Sequence, residues 1–208
     1  MIGVTLDRIS KRFGYQTILK EISHDFRPGT ITGITGRNGS GKSTLVKIIS
    51  SYLSPSTGEV TFTEKGQIIK HNILALQTAF SAPYIKVTQE MNLKELIEFQ
   101  QNFVPFSDDL SYSDFLDIIE LPNPRQKEIR FFSSGMQQKV NLATSILRQS
   151  QLLILDEPTS YLDQKAKNWF STLLSRHINN KTVIIASNDK DDFHLVNHIC
   201  TIESGVLY

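Results

Sequence analysis

A chain of 208 residues that is 39% hydrophobic and 21% charged has enough apolar material for a sizeable core, and its length suits one large domain or one domain with a small insert. Its formal net charge of +1 offers no field that would favour nucleic acid or anionic lipid. One cysteine, Cys200 in an apolar stretch, excludes an intramolecular disulfide framework, suits a reducing compartment and reads as buried filler.

The segment Met1–Arg8 lacks the basic-then-apolar layout of a signal peptide. No apolar run approaches the ~20 residues that span a bilayer, so a role at a membrane calls for another chain to supply the spans. Along the chain, Ile2, Val4 and Leu6 alternate, Ile18 to Phe26 is mixed, and Pro28-Gly29 turns into Thr30–Thr35; residues 1–35 thus read as short strands. The next stretch is Gly36-Arg37-Asn38-Gly39-Ser40-Gly41-Lys42-Ser43-Thr44, the spacing of a phosphate-binding P-loop. Its glycines let the backbone curl so that several N–H groups face a di- or triphosphate. Lys42 adds a point charge at the β/γ-phosphates, and the Ser43 hydroxyl can ligate Mg²⁺. A helix over Lys42–Ser51 adds its positive end to the anion site.

Beyond Pro55 and Gly58 a strand resumes over Glu59–Thr63, and Ile73–Leu76 reads as a short buried strand. Residues 84–148 change character: Leu93, Leu96, Ile97 and Phe103 recur at helical spacing, as do Phe115, Ile118 and Ile119, and Pro122 and Pro124 break the second helix. From 151 the order is strand Leu152–Leu155, helix 164–178, strand Val183–Ala186, helix 190–196 and strand Ile199–Ile202. Strands alternating with helices imply a parallel sheet. Leu152 to Leu155 are followed at once by Asp156 and Glu157, two carboxylates at the C-terminal end of a strand buried on both faces. Ligands bind at that end of open α/β sheets. There Asp156 can hold Mg²⁺ and Glu157 can polarise an attacking water.

Together these residues resemble the ATP-binding cassette family, the ATPase subunits of ABC transporters, over nearly the whole chain. Gly36–Thr44 matches the family's Walker A and Leu152–Glu157 its Walker B. Gln77 stands in the place of the Q-loop glutamine, Phe132-Ser133-Ser134-Gly135-Met136 in that of the Leu-Ser-Gly-Gly-Gln signature, and Ser160-Tyr161-Leu162-Asp163 in that of the D-loop. Phe13 takes the place of the aromatic that stacks on adenine, with Tyr15 as rival. The fold implied is α/β: a P-loop NTPase core with a parallel sheet, an N-terminal antiparallel β subdomain and an inserted α-helical subdomain. Residues 1–83 and 149–208 would form the core and 84–148 the helical part of a single cassette.

The resemblance implies ATP and Mg²⁺ as cofactors. Glu157, Lys42, Gln77 and Asn188 would be catalytic, and Ser43, Gln77 and Asp156 would serve the metal. Phe13, Gly36, Asn38, Gly39, Ser40, Gly41, Lys42, Ser43 and Thr44 would bind nucleotide. Ser133 and Gly135 would cap the γ-phosphate held by the opposite cassette, and Asp163 would contact the partner or cap the next helix. Partners implied are a second copy or a related cassette and a separate transmembrane permease, which would hold the chain at the cytoplasmic face; no nucleic acid is expected. Phe80, Tyr84 and Ile85, within Thr78–Thr88, suit a docking groove for that permease and equally the core of the insert.

Two departures bear on rate. Ser134 and Met136 replace a glycine and the glutamine of the signature, and Asn188 stands where the family has a histidine; it can donate a hydrogen bond but has no titratable proton, or it can cap the following helix. Slow hydrolysis is expected, and a regulatory nucleotide-binding protein is the alternative. Ser134-x-x-Gln137 also reads as a capping box. His194 and His198, four apart, are a weak metal pair, and Arg125, Lys127 and Arg130 read as a solvated face.

Overall fold

A computed structural model describes residues 1–107, 110–121 and 127–208. Pro122, Pro124 and Arg125, on which two expectations rest, lie outside the described residues. The N-terminal strands are longer than expected: β1 (Ile2–Phe13) and β2 (Gln16–Phe26) form a hairpin closed at Phe13↔Gln16 around Gly14-Tyr15. They join β4 (Thr57–Glu64) and β5 (Gln67–Ile68) in a 4-stranded antiparallel sheet of order β2-β1-β4-β5. Ile2, Val4, Leu6 and Ile9 turn to its buried face and bulges in β1 keep that phase, so the long strand has one dry side.

The second sheet has order β10-β9-β3-β8-β7-β6. It comprises β3 (Ile31–Thr35), β6 (Thr78–Ser81), β7 (Leu152–Asp156), β8 (Thr182–Ala186), β9 (His198–Glu203) and, antiparallel at one edge, β10 (Val206–Leu207). Successive residues of a strand face opposite sides. Leu153 and Leu155 of β7, with Val183 and Ile185 of β8, enter one core; Leu152, Ile154, Ile184 and Ala186 enter the other. The first core is closed by α3 (Leu93–Gln101), α4 (Tyr112–Ile119), α5 (Ser134–Leu147) and α6 (Gln164–His177). The second is closed by α1 (Lys42–Ile49) and the antiparallel sheet. Burial on both faces is why residues 152–155 of β7 and 183–186 of β8 are short, unbroken apolar runs.

The helices start where chemistry starts them. Asn92 and Glu95 form a reciprocal capping box on α3, and Ser111 and Asp114 do so on α4. Four expectations are corrected. Ile73–Leu76 is no strand but part of α2 (His71–Gln77), with Leu74 turned inward and Ile73 and Leu76 exposed; a short apolar run has no period that tells helix from strand. The strand of that region is Thr78–Ser81. The first helix stops at Ile49, because Ser51 adopts φ 60. The expected helix 190–196 is a 3-10 turn over Lys190–Phe193. Phe103 lies beyond the end of α3, exposed, its ring edge-to-face on Phe99.

Ile154 is fully buried in the central strand of the larger sheet. Ile154→Ala should lower stability by about 2–5 kcal/mol, read as a shifted midpoint in urea with the emission of Trp169 as reporter.

Candidate functional site

The in-register pairs Ile34↔Ala186 and Asp156↔Ala186 bring the ends of β3, β8 and β7 out of the sheet at one level. The loop after β3 turns at Gly36, whose φ is 149; a Cβ there would stand 2.4 Å from the carbonyl oxygen of Ile202 and 2.8 Å from Ser40 Oγ, so no side chain fits. The loop ends at Gly41, the N-cap of α1, and no side chain caps that helix. Its first N–H groups are thus left to a ligand. Lys42 is buried and donates from Nζ to the carbonyls of Gly36 (2.8 Å) and Arg37 (3.4 Å). Its Nζ also lies 3.7 Å from Glu157 Oε1. Ser40 is buried beside it, its Oγ without a hydrogen-bond partner among the described residues; Asn38 and Gly39 form the exposed tip, and Ser43 and Thr44 are half-buried in the first turn of α1.

Asp156 ends β7 and has no exposed surface. Burial raises its carboxyl above the usual range, the nearby Ser43 and Tyr84 hydroxyls oppose that, and the charge of Glu157 adds to it. Its Oδ2 accepts from the Tyr84 hydroxyl at 2.9 Å. Its Oδ1 is buried with no hydrogen-bond partner among the described residues. An all-oxygen pair, Ser43 and Asp156 with one orphaned oxygen, suits a hard cation such as Mg²⁺. Glu157 follows in the left-handed region, φ 45, held by its N–H to the Ala186 carbonyl at 2.7 Å. A non-glycine residue held there is strained, and such strain gathers where a side chain must be aimed.

Gln77 is not part of this site. It ends α2 and precedes β6, whose Thr78 pairs with Leu152 while Ser81 pairs with Leu155. The Gln77 carbonyl accepts from the N–H of Gln151 at the entry edge of the sheet. Five residues of extended strand, about 16 Å, separate that edge from Asp156. The sequence reading went wrong because it placed the strand before Gln77 instead of after it. The side chain at the exit edge is Tyr84, which sequence reasoning had read only as groove or core. An aromatic three residues past a strand carries no sequence signal that would have assigned it to a carboxylate.

At the end of β8, Asn188 donates from Nδ2 to Asn38 Oδ1 at 2.9 Å, joining this corner to the tip of the phosphate loop. It does not cap the following turn; Asp189 does, accepting from the N–H of Asp191. Ser187 Oγ lies 3.3 Å from Glu157 Oε2 and hydrogen-bonds Asp192 Oδ2. Burial pushes the Asp192 carboxyl up to about 6, against the hydrogen bonds of Ser187 and Thr159. Asp192 is therefore a second carboxyl linked to Glu157 through one hydroxyl, and nothing in its sequence context marked it.

The remaining predicted residues lie apart from this corner. Ser133, not Ser134, is the N-cap of α5 and accepts from the N–H of Met136 at 3.2 Å. Gln137 turns back to the carbonyls of Ile129 and Phe132, so the box expected at Ser134 and Gln137 does not form. Gly135 sits against the backbone of Tyr161, where a Cβ would meet the carbonyl oxygen at 3.1 Å. No hydrogen bond joins Ser133 or Gly135 to the phosphate loop among the described residues. Asp163 caps α6 by accepting from Ala166. Phe13 is half exposed near the tip of the first hairpin, with Lys11 Nζ 5.1 Å from its ring centroid, while Tyr15 is wholly exposed. The hairpin reaches the phosphate loop through β2, since Leu19 packs against Gly41. His194 faces Asp191, and no metal-binding group of His, Cys, Asp and Glu occurs among the described residues. Arg130 pairs with Glu128 at 2.9 Å.

The chain is similar to known proteins over most of its length. A profile of the ABC transporter family matches residues 19–160. The chain is 30% identical over 192 residues to YybJ of Bacillus subtilis, an uncharacterised ABC transporter ATP-binding protein, covering 88% of this chain and 84% of that one. It is 26% identical over 215 residues to the Nod factor export ATP-binding protein I of Rhizobium johnstonii, covering 98% and 67%. The dimeric post-hydrolysis structure of the ATP-binding cassette MJ0796, bound to ADP and Pi, superposes with a TM-score of 0.82 at 22% identity, covering 98% of this chain and 96% of that one.

Because Asp192 is held up to about 6 when folded against 3.8 ordinarily, the folded chain takes up its proton first. Stability should therefore rise as pH falls from about 6 towards about 4, with the full cost of burial, on the order of 3 kcal/mol, present above that window. Asp192→Asn should raise the melting temperature near pH 8 and flatten its dependence on pH between about 6 and about 4.

Proposed function

The chain belongs to the ABC transporter family, and on that premise we propose that it is the ATP-binding, ATP-hydrolysing subunit of a transporter, pairing with a second cassette around nucleotide to drive a separate membrane permease. One observation supports this most directly: Lys42, enclosed by its own glycine loop, lies 3.7 Å from Glu157 at the exit edge of the parallel sheet. That is the place for a triphosphate and the water that attacks it.

In this reading the backbone N–H groups of Gly36, Asn38, Gly39, Ser40, Gly41 and Thr44 cradle the phosphates. A phosphate displaces the Gly36 and Arg37 carbonyls as the partner of Lys42 Nζ. Glu157 orients and polarises the attacking water, and Phe13 stacks on adenine. Ser43 and the free Oδ1 of Asp156 would hold Mg²⁺, which supplies charge neutralisation at the phosphate oxygens. Asn188 donates to the γ-phosphate once it leaves Asn38. It has no titratable group, so hydrolysis is slow. Ser133 and Gly135 make no hydrogen bond to their own loop among the described residues, which fits a role in capping the γ-phosphate of the partner cassette. Residues 84–148 act as the helical part of a single cassette.

No described helix is long and apolar enough to cross a membrane. Docking to the permease would hold the chain at the cytoplasmic face. The docking surface is a groove of about 360 Å³ between the sheet and the helices, where Ile85, Val87, Phe99 and Phe103 come together. Phe99 and Phe103 are exposed and stand edge-to-face at 5.1 Å, which leaves apolar ring surface open to a partner. Phe80, partly buried against the sheet core, lines the same groove, whereas Tyr84 is turned to Asp156.

Purified protein with Mg·ATP should show turnover that Glu157→Gln lowers by a factor of 10² or more, with ATP-dependent dimers accumulating in that variant. Tight ATP binding with wild-type turnover no faster than Glu157→Gln would favour the regulatory reading instead. Asn188→His should raise the rate of the assembled complex about tenfold, the worth of one 1.4 kcal/mol interaction in the transition state; an unchanged or lower rate would overturn the assignment of slow hydrolysis to that residue.

A further inference from the structure

Tyr84 is held in a way that ordinary packing does not require. Its hydroxyl spends its one proton on Asp156 Oδ2 at 2.9 Å. Lys47 Nζ, from the last turn of α1, sits 3.9 Å over its ring, and Phe80 packs edge-on against it at 6.4 Å. The ring is thus fixed from two sides while the hydroxyl is aimed at a buried carboxylate. A phenol titrates well above physiological pH, so the hydroxyl is a donor there. With Oδ2 so occupied, Asp156 is left with one unpartnered oxygen, Oδ1.

The same tyrosine sits in a turn, Ile85 N–H to the Ala82 carbonyl at 3.0 Å, that is clipped from the far side. Asn141 of α5 donates from Nδ2 to the carbonyls of Ala82 (3.3 Å) and Ile85 (3.2 Å). α5 is the helix that Ser133 caps. A side chain on that helix therefore holds the turn, and the turn holds the carboxylate.

We propose that Tyr84 is a positioning residue for the cation site: its hydroxyl orients the Asp156 carboxylate so that Oδ1 is presented to Mg²⁺, and the Asn141 clip makes that orientation depend on where α5 sits. The proposal rests on the nucleotide-binding reading above. An outer partner that orients a ligating carboxylate commonly sets metal affinity by a factor of ten or more, without touching the metal.

Tyr84→Phe keeps the ring, its cation–π contact and its packing, and removes only the donor. The test titrates MgCl₂ into full-length protein at fixed concentration of a fluorescent ATP analogue, with binding in EDTA as baseline and the melting curve as a check on folding. Tyr84→Phe should raise the half-saturating Mg²⁺ concentration about tenfold while analogue affinity in EDTA moves less than twofold. Asn141→Ala should move the Mg²⁺ titration in the same direction, by less. If wild type binds with Mg²⁺ dependence and Tyr84→Phe titrates identically, or needs less Mg²⁺, the role of Tyr84 is overturned while the functional reading stands. An unchanged Asn141→Ala titration overturns the link to α5. If wild-type protein shows no Mg²⁺-dependent binding of the analogue, the functional reading falls and the role of Tyr84 with it.

Discussion

Three short parallel strands, β3, β8 and β7, leave the sheet at the same level, and the chemistry of this protein is built on that register. Ile34 and Asp156 both stand opposite Ala186, so the residues just beyond them converge. A slip of one residue in β7 would exchange Leu153 and Leu155 for Leu152 and Ile154 between the two cores. All four are large and apolar, so the composition of β7 tolerates the exchange better than its ends do. What resists a slip is polar: Asp156 would lose Tyr84, and Glu157 its N–H bond to Ala186. The site therefore helps to set the register that creates it.

The charges at this edge are arranged so that none is alone. Lys42, with 5% of its side chain exposed, has two loop carbonyls and Glu157 within reach. An unpaired buried ion would cost several kcal/mol, and a pair repays that only when further hydrogen bonds complete its shell. The loop carbonyls complete it here in a form that an anionic phosphate can replace. Asp156 is treated differently. It is the most buried acid of the corner, it keeps one oxygen unmatched, and Tyr84 and Ser43 support its charge against burial. In the proposed function a carboxylate so buried with a free oxygen serves a cation, whereas Glu157, partly exposed and aimed by strained backbone, serves water.

The corner after β8 combines two changes of opposite sense. Asn188 removes a titratable group from the edge nearest the phosphate loop and replaces it with a neutral link to Asn38. Asp192, buried and reached from Glu157 through Ser187, places a titratable group behind it.

What the amino-acid sequence by itself determined is local: the glycine spacing of 36–41, the apolar run into Asp156 and Glu157, the cap of one helix at Asp163, and the alternation of strand and helix after 151. Each of these depends on neighbours along the chain, through backbone freedom, short-range capping bonds or the periods of helix and strand. Gln77 and Ile73–Leu76 mark where that reach ends. An apolar tetrad of no definite period cannot say which side of Gln77 the strand lies on, and one misplaced strand carried the glutamine to the wrong edge of the sheet. The cap at Ser133 was missed for a related reason: adjacent serines compete, and the path of the chain after Phe132 chooses between them. Tyr84 on Asp156, Asp192 behind Glu157 and Asn141 on the turn at 82–85 are contacts between residues 72, 35 and 56–59 positions apart. Only the tertiary structure decides such contacts, because they follow from how sheet and helices stack, and no property of the residues beside them in the chain records it.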